Sequence, residues 1–264
     1  MAGRAQPLSG RPGTVAASLV AALVLGTLAA VALRAEAGAG LAAADWAAVR
    51  FTLVQATLSA LFSVGLAVPV ARALARRRFA GRGVLITLLG APFILPVIVA
   101  VLGLLTVFGR GGWVSAALGW AGLPPLSIYG LHGVVLAHVF FNLPLATRLI
   151  LQGWQEIPAE RFRLAAQLGC GPRDIWRLLE RPMLARAVSG VLAVVFAICL
   201  TSFAVALTLG GGPRATTVEL AIYQAFRFDF DLGRAALLSL IQIALTAVAA
   251  LAALRLARGE GFGA

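Results

Sequence analysis

RLAAQLGCGPRDIWRLLERP, residues 163–182, is the stretch that decides how this chain is read. Arginines at 163, 173, 177 and 181 and the acids Asp174 and Glu180 stand in a chain that is otherwise strongly apolar. Glycine and proline divide the stretch into segments. Pro158 suits the first turn of a helix, Glu160 complements its positive end, and Gly169 followed by Gly171 and Pro172 ends it. A second short helix is expected from Pro172 to about Glu180, with Pro182 stopping it. The expected unit is helix, tight turn, helix, pressed against a membrane surface. Phe162, Ala165 and Ala166 recur at offsets of three and four and offer one small apolar face, while Arg161, Arg163 and Arg173 stay polar. Such a face fits another protein's groove; the same pattern also describes an amphipathic segment lying on lipid.

Outward from this insert the chain reads as membrane. Of 264 residues 61% are hydrophobic and 12% charged, with mean hydropathy +0.95, whereas soluble domains carry about 25% charged residues. A spanning helix needs about 20 apolar residues. Six stretches qualify: Val15–Leu33, Phe51–Ala71, Val84–Phe108, Leu131–Thr147, Ala187–Leu209 and Ala235–Leu254. None holds an Asp, Glu or Arg. The first exceeds the usual signal-peptide core of about 7–15 residues and is read as a retained span. The expected fold is therefore an all-α polytopic membrane protein with six transmembrane helices. A tail over 1–14 and another over 257–264 flank one domain at 15–256, and the insert occupies 152–186.

The basic residues report orientation. The net charge is +12, but the basic residues lie between apolar runs rather than on a soluble face, so no nucleic-acid partner is implied. Sixteen of the 22 arginines collect on one side of the six-span arrangement: Arg4 and Arg11, the cluster Arg72 to Arg82, those from Arg148 to Arg186, and Arg255 and Arg258. Short cytoplasmic loops carry such an excess, which places both termini and the insert in the cytoplasm. Trp46, Trp113, Trp120 and Tyr129 fall at outer span ends and Trp154 at an inner end, as interfacial aromatics do. Pro69, Pro92, Pro96 and Pro144 lie in or beside spans.

The chemistry available is limited. No lysine occurs, which removes phosphate-binding loops of the GxxxxGK[ST] type and any Schiff-base or lysine-base chemistry. Cys170 and Cys199 have neither metal-ligand nor CxxC spacing, so they are read as packing residues, with no metal or cofactor expected. Ion-coupled carriers need ionisable groups inside the membrane and these spans hold no charged side chain, so energy is expected from a separate ATPase seated on the insert. His138 and Asn142 share a helix face, and Gln55, Thr201, Ser202 and Gln242 add polar groups from other spans. These are candidate substrate-pathway residues; they equally suit interhelical hydrogen bonds worth about 1 kcal/mol or less each. Outside the fifth span, Gly210 to Gly212 and Pro213 precede Thr216 and Glu219 in capping-box spacing, predicting a short helix near 217–226. Asp229 and Asp231 follow, either attracting a cation or lying solvated in a loop. A polytopic membrane enzyme would need clustered metal ligands or a nucleophile and base, and His132 and His138 lack carboxylate partners for that. A channel or passive scaffold would not need the insert.

The spacing of Gly169 and Pro182, with Trp176 and Leu179 between, resembles the EAA loop of permease subunits of type I ABC importers. Arg163 stands where that loop usually has glutamate and Leu164 at its first alanine; Ala165 keeps the second, and Glu160 is the acid one turn earlier. LTLGGGPRATTVELAIYQAFRFDFDLGRAALLSLIQ, residues 207–242, and GLHGVVLAHVFFNLPLATRLILQ, residues 130–152, are similar to the membrane subunit of bacterial thiamine importers, and related ferric-iron permeases carry similar blocks. The likeness covers about residues 51–256. It implies a MetI-like permease fold corresponding to the N-terminal half, or to a split version, of a two-half permease, and a bacterial inner-membrane location. It also implies thiamine or its phosphates as cargo, with ferric iron as the other choice. The implied partners are a cytoplasmic ATPase dimer, a periplasmic binding protein, a second permease half or copy, and the bilayer. Glu160, Phe162, Arg163, Ala165, Ala166, Gly169 and Pro182 would be the coupling residues.

Overall fold

The computed structural model describes residues 10–35, 41–212 and 215–258. Arg4, Pro213 and the tail after 258 lie outside them. Among the described residues the regular structure is entirely helical, and six helices or helix pairs are long and apolar enough to cross a membrane: Gly13–Arg34, Ala43–Arg76, Val97–Trp120, Leu131–Gln155, Pro172–Leu200 and Leu232–Arg255.

Helix α1 (Gly10–Arg34) begins inside the expected tail and has none of its span buried; it leans on α12 (Leu232–Arg258). The centre is α2 (Ala43–Arg76), at 34 residues the longest helix described. At about 1.5 Å per residue it overreaches a hydrocarbon core of about 30 Å, so both of its ends project toward water. Its buried stripe, Ala56, Ser59, Ala60, Ser63, Val64, Ala67 and Ala71, is made of small side chains at helical spacing. Small side chains let partner helices approach closely, which is how helices pack in lipid. Against it lie α6 (Leu131–Gln155) and α9 (Arg181–Leu200), whose Ile150, Leu151, Trp154, Leu184, Val191 and Val195 complete the larger core.

Two expected spans are broken. Val84–Phe108 is not one helix: α3 (Arg82–Leu88) ends, a 3-10 turn covers Ala91–Phe93, and α4 (Val97–Phe108) starts after Pro96. Two prolines four residues apart remove backbone donors and disfavour helix in the residue before each. The apolar segment is completed instead by α5 (Trp113–Trp120). Ala187–Leu209 is also divided. α9 ends at Leu200, Thr201 and Ser202 leave helical geometry, and α10 (Phe203–Leu209) resumes. By contrast Pro69 and Pro144 stay inside α2 and α6.

α10 packs with α4 and α6 around Val101, Leu104, Val134, Ala137, Val205 and Leu209. Trp46, Trp113, Trp120 and Tyr129 are exposed. Trp154 is buried and is part of the protein interior, because its indole N–H finds a carboxylate there.

Candidate functional site

The insert folds as α7 (Ala159–Gln167), a tight turn, and α8 (Pro172–Ile175). Gly169 takes φ +68°, and the N–H groups of Gly169 and Cys170 donate to the carbonyls of Ala166 and Ala165 at 3.1 and 2.9 Å. That pair of bonds is a Schellman ending, and it needs a left-handed residue where only glycine is unstrained. The Asp174 carboxylate then accepts from Gly171 N–H at 3.0 Å, starting the next helix.

Pro182 does not stop that helix. The backbone widens into a π segment over Trp176–Glu180, with Arg181 N–H donating to the Trp176 carbonyl, and α9 continues with Pro182 in its first turn. A proline lacks the donor for the carbonyl four residues back, and π-bulges are one way a helix absorbs such a defect. One helical body therefore runs from the insert to the middle of the bundle.

The insert's faces also differ from expectation. Phe162 is half-buried and lines a cleft with Ala75, Arg76, Arg82, Leu151 and Trp154, with the Arg76 guanidinium 5.7 Å from its ring centroid. Ala165 lines an apolar groove with Leu168, Ile175, Leu178 and Leu179. Only Ala166 of the expected face is exposed. An aromatic ring over the Arg76 end of α2 and the Gln155 end of α6 lowers its free energy by burial. The outward surface is therefore Glu160, Arg163, Leu164, Ala166 and Leu168, all exposed, with Glu160 and Arg163 paired at 3.5 Å.

Sequence reasoning missed Glu180. Its carboxylate is fully buried and pairs with Arg72 Nε at 3.2 Å and Arg76 Nε at 2.7 Å. Trp154 Nε1 donates to it at 3.5 Å, and the Arg72 guanidinium lies 4.5 Å over the Trp176 ring. The available signal was the spacing of Arg72 and Arg76, four apart and hence on one helix face.

Within the bundle the predicted polar residues gather at the α9–α10 break. His138 is bracketed by Ser59 Oγ at 3.1 Å and Ser202 Oγ at 2.5 Å. A neutral imidazole donates through one nitrogen and accepts through the other, so both serines are served by one uncharged ring. Asn142 donates to Cys199 Sγ at 3.4 Å. Gln55 and Gln242 donate to the Cys199 and Leu200 carbonyls at 2.8 and 2.9 Å; these two acceptors lose their helical donors where α9 stops. Thr201 faces outward and bonds the Ile198 carbonyl in its own helix, so it does not join the cluster. Ser59 and Cys199 are members that sequence reasoning did not include.

At the other end, α11 (Val218–Arg227) is capped by Thr217, whose Oγ1 accepts from Leu220 N–H at 3.3 Å. The cap is thus one residue later than the expected Thr216, and Glu219 is not its capping-box partner. The shift lets Val218 N–H donate to Thr52 Oγ1 on α2 at 2.9 Å. Burial holds the Glu219 carboxyl above its ordinary pKa, partly offset by a hydrogen bond from the Phe203 backbone. Asp229 pairs with Arg234 at 3.2 Å, and Asp231 Oδ1 accepts from Arg234 N–H at 2.8 Å. Arg234 also holds the buried Asp45 at 2.7 Å. Asp229 and Asp231 are thus exposed, as a solvated loop would have them, and also serve Arg234 at the junction between α2 and α12. Asp45 and Glu180 show that buried charge does exist in this bundle, at its two ends, each matched by arginine.

No family model matches the chain. It is 47% identical over 241 residues to the thiamine transport system permease protein of Brucella abortus (strain 2308), covering 89% of this chain and 44% of that protein. To the corresponding protein of Escherichia coli (strain K12) it is 48% identical over 251 residues, covering 92% of this chain and 47% of that one. The chain spans about half the length of these curated relatives. Its structure matches a bacterial ABC transporter involved in alginate import with TM-score 0.70 at 15% identity, over 84% of this chain and 81% of that one. The chain is a homologue of the thiamine permeases across about half their length, and its fold is that of a type I ABC importer permease.

Proposed function

From this kinship we propose that the chain forms one permease half of a binding-protein-dependent ABC importer that carries thiamine or its phosphates inward. Identity of 47–49% to thiamine permeases along about nine-tenths of the chain is the observation that carries this reading. The helix–turn–helix insert supports it. An exposed α7 surface at Glu160, Arg163, Leu164, Ala166 and Leu168 is a docking ridge for a cytoplasmic ATPase dimer, with Gly169 fixing its far end. The bacterial relatives support an inner-membrane location, and the arginine distribution favours both termini and the insert in the cytoplasm. A second permease half or copy completes the pathway, and a periplasmic binding protein delivers cargo to the outer face.

ATP closure draws the docking ridges together and rocks the spans between inward and outward access. His138, Asn142 and Ser202 are the groups proposed to meet cargo, because they are polar, uncharged and gathered where the helix backbone is interrupted. Gln55 and Gln242 are assigned to holding that interruption open.

The test is growth and uptake. A thiamine auxotroph lacking this chain should fail on low external thiamine, recover when the chain is restored, and take up iron normally throughout. Loss of ferric-iron uptake with normal thiamine growth would assign iron instead. Unchanged uptake of both would overturn the transport reading.

A further inference from the structure

We propose that Glu180 is the positioning residue that transmits docking-helix movement into the membrane bundle. The inference deepens the importer reading and rests on it. The Glu180 carboxylate is the junction of three helical bodies at their cytoplasmic ends. It stands on the π segment that leads into α9, binds Arg72 and Arg76 from the last turns of α2, and receives the Trp154 indole N–H from α6. The same two arginines reach into the insert, Arg72 over Trp176 and Arg76 over Phe162 of the docking helix. A displacement of α7 is therefore felt at Arg76, passes through one buried carboxylate, and turns α2 and α9 together.

Three features set this carboxylate apart from ordinary surface charge. It is fully buried while its arginines remain partly exposed, with side chains 47% and 38% accessible, so the acid is the fixed point and the guanidiniums are the arms. The π segment places it there: each π turn holds more than the usual 3.6 residues, which rotates the residues after it relative to a regular helix. Two guanidiniums held by one carboxylate also repel each other once the carboxylate charge is gone. The junction is thus a linkage that one atom-scale change loosens without touching the docking ridge.

The experiment compares Glu180→Gln and Arg76→Lys with wild type in proteoliposomes containing the assembled importer: this chain, its second permease half, the ATPase and the binding protein. Thiamine uptake and ATP hydrolysis are measured together. Asp45→Asn serves as control, since it breaks a comparable buried carboxylate–arginine pair at the opposite end. Glu180→Gln is expected to lower thiamine moved per ATP about tenfold while hydrolysis stays within about twofold, the range that contiguous side-chain networks carry. Arg76→Lys, which keeps the charge but loses Nε, should shift the ratio the same way to a smaller extent, and it decides the matter should Glu180→Gln not assemble. Asp45→Asn should lower thermal stability and leave the ratio unchanged. An unchanged ratio in Arg76→Lys and in any assembled Glu180→Gln overturns the inference, as does an equal shift in Asp45→Asn. Absence of ATP-dependent thiamine uptake by the wild-type assembly would instead overturn the importer reading.

Discussion

The Gln55 side-chain amide donates to the Cys199 carbonyl at 2.8 Å, joining residues 144 positions apart. One span thereby supplies the hydrogen bond that another lacks where its helix stops. Gln242 does the same for the Leu200 carbonyl from a third helix. A broken helix in lipid is tolerated only where its free backbone groups are met by protein, so these glutamines are conditions for the break. Replacing either by leucine should lower stability by about 1–3 kcal/mol, the penalty for a buried acceptor left unmet. Thermal unfolding of purified Gln55→Leu and Gln242→Leu in detergent measures it.

His138 tests whether the cluster beyond those glutamines meets cargo. His138→Gln keeps a donor and an acceptor and should leave assembly intact, yet thiamine uptake should fall at least about tenfold if the ring contacts cargo in the transport cycle. Uptake per folded protein equal to wild type would reduce the residue to interhelical bonding.

The outward ridge of α7 predicts a separable defect. Leu164 and Leu168 are 56% and 71% exposed, and neither Leu164→Asp nor Leu168→Asp disturbs the buried core. Both variants should insert and fold, and both should lose co-purification with the ATPase. Arg163→Ala should do less, since exposed ion pairs contribute only about 0–1 kcal/mol.

Two glycines should respond to alanine in opposite degrees. Gly169 has a left-handed backbone but open space around it, so Gly169→Ala should cost about 1 kcal/mol and fray α7. A Cβ on Gly133 would overlap the Ile128 carbonyl, and backbone cannot yield as a flexible side chain does. Gly133→Ala should fail to give folded protein in membranes, measurable as lost monodispersity in detergent.

Glu219 gives a pH test. Its carboxyl is held above the ordinary value, chiefly by burial, so the unfolded chain ionises at lower pH than the folded one. Folding is then penalised at pH above both values, and the penalty disappears as pH falls below them. Glu219→Gln should unfold at higher temperature than wild type at neutral pH, with the gap closing on acidification.

What the sequence settled by itself was class and periphery. Runs of about 20 apolar residues specify spans because hydrocarbon offers no partner to bare backbone, and Gly169 specifies a helix end because its neighbours cannot adopt its φ. Local rules of that kind act over a few residues and can be read in order. Tertiary structure decided where those rules compete with distant partners. Pro182 reads as a stop but is carried through by a π segment, while Thr201 and Ser202 sit in an apolar run and interrupt it. Glu180 reads only as the end of a short helix and is a buried junction, because Arg72 and Arg76 arrive from over a hundred positions away. Phe162 reads as docking surface and is half covered, because the ends of α2 and α6 lie beneath it. In each case the deciding free energy belongs to groups that the fold brings together, and no window of the chain contains them both.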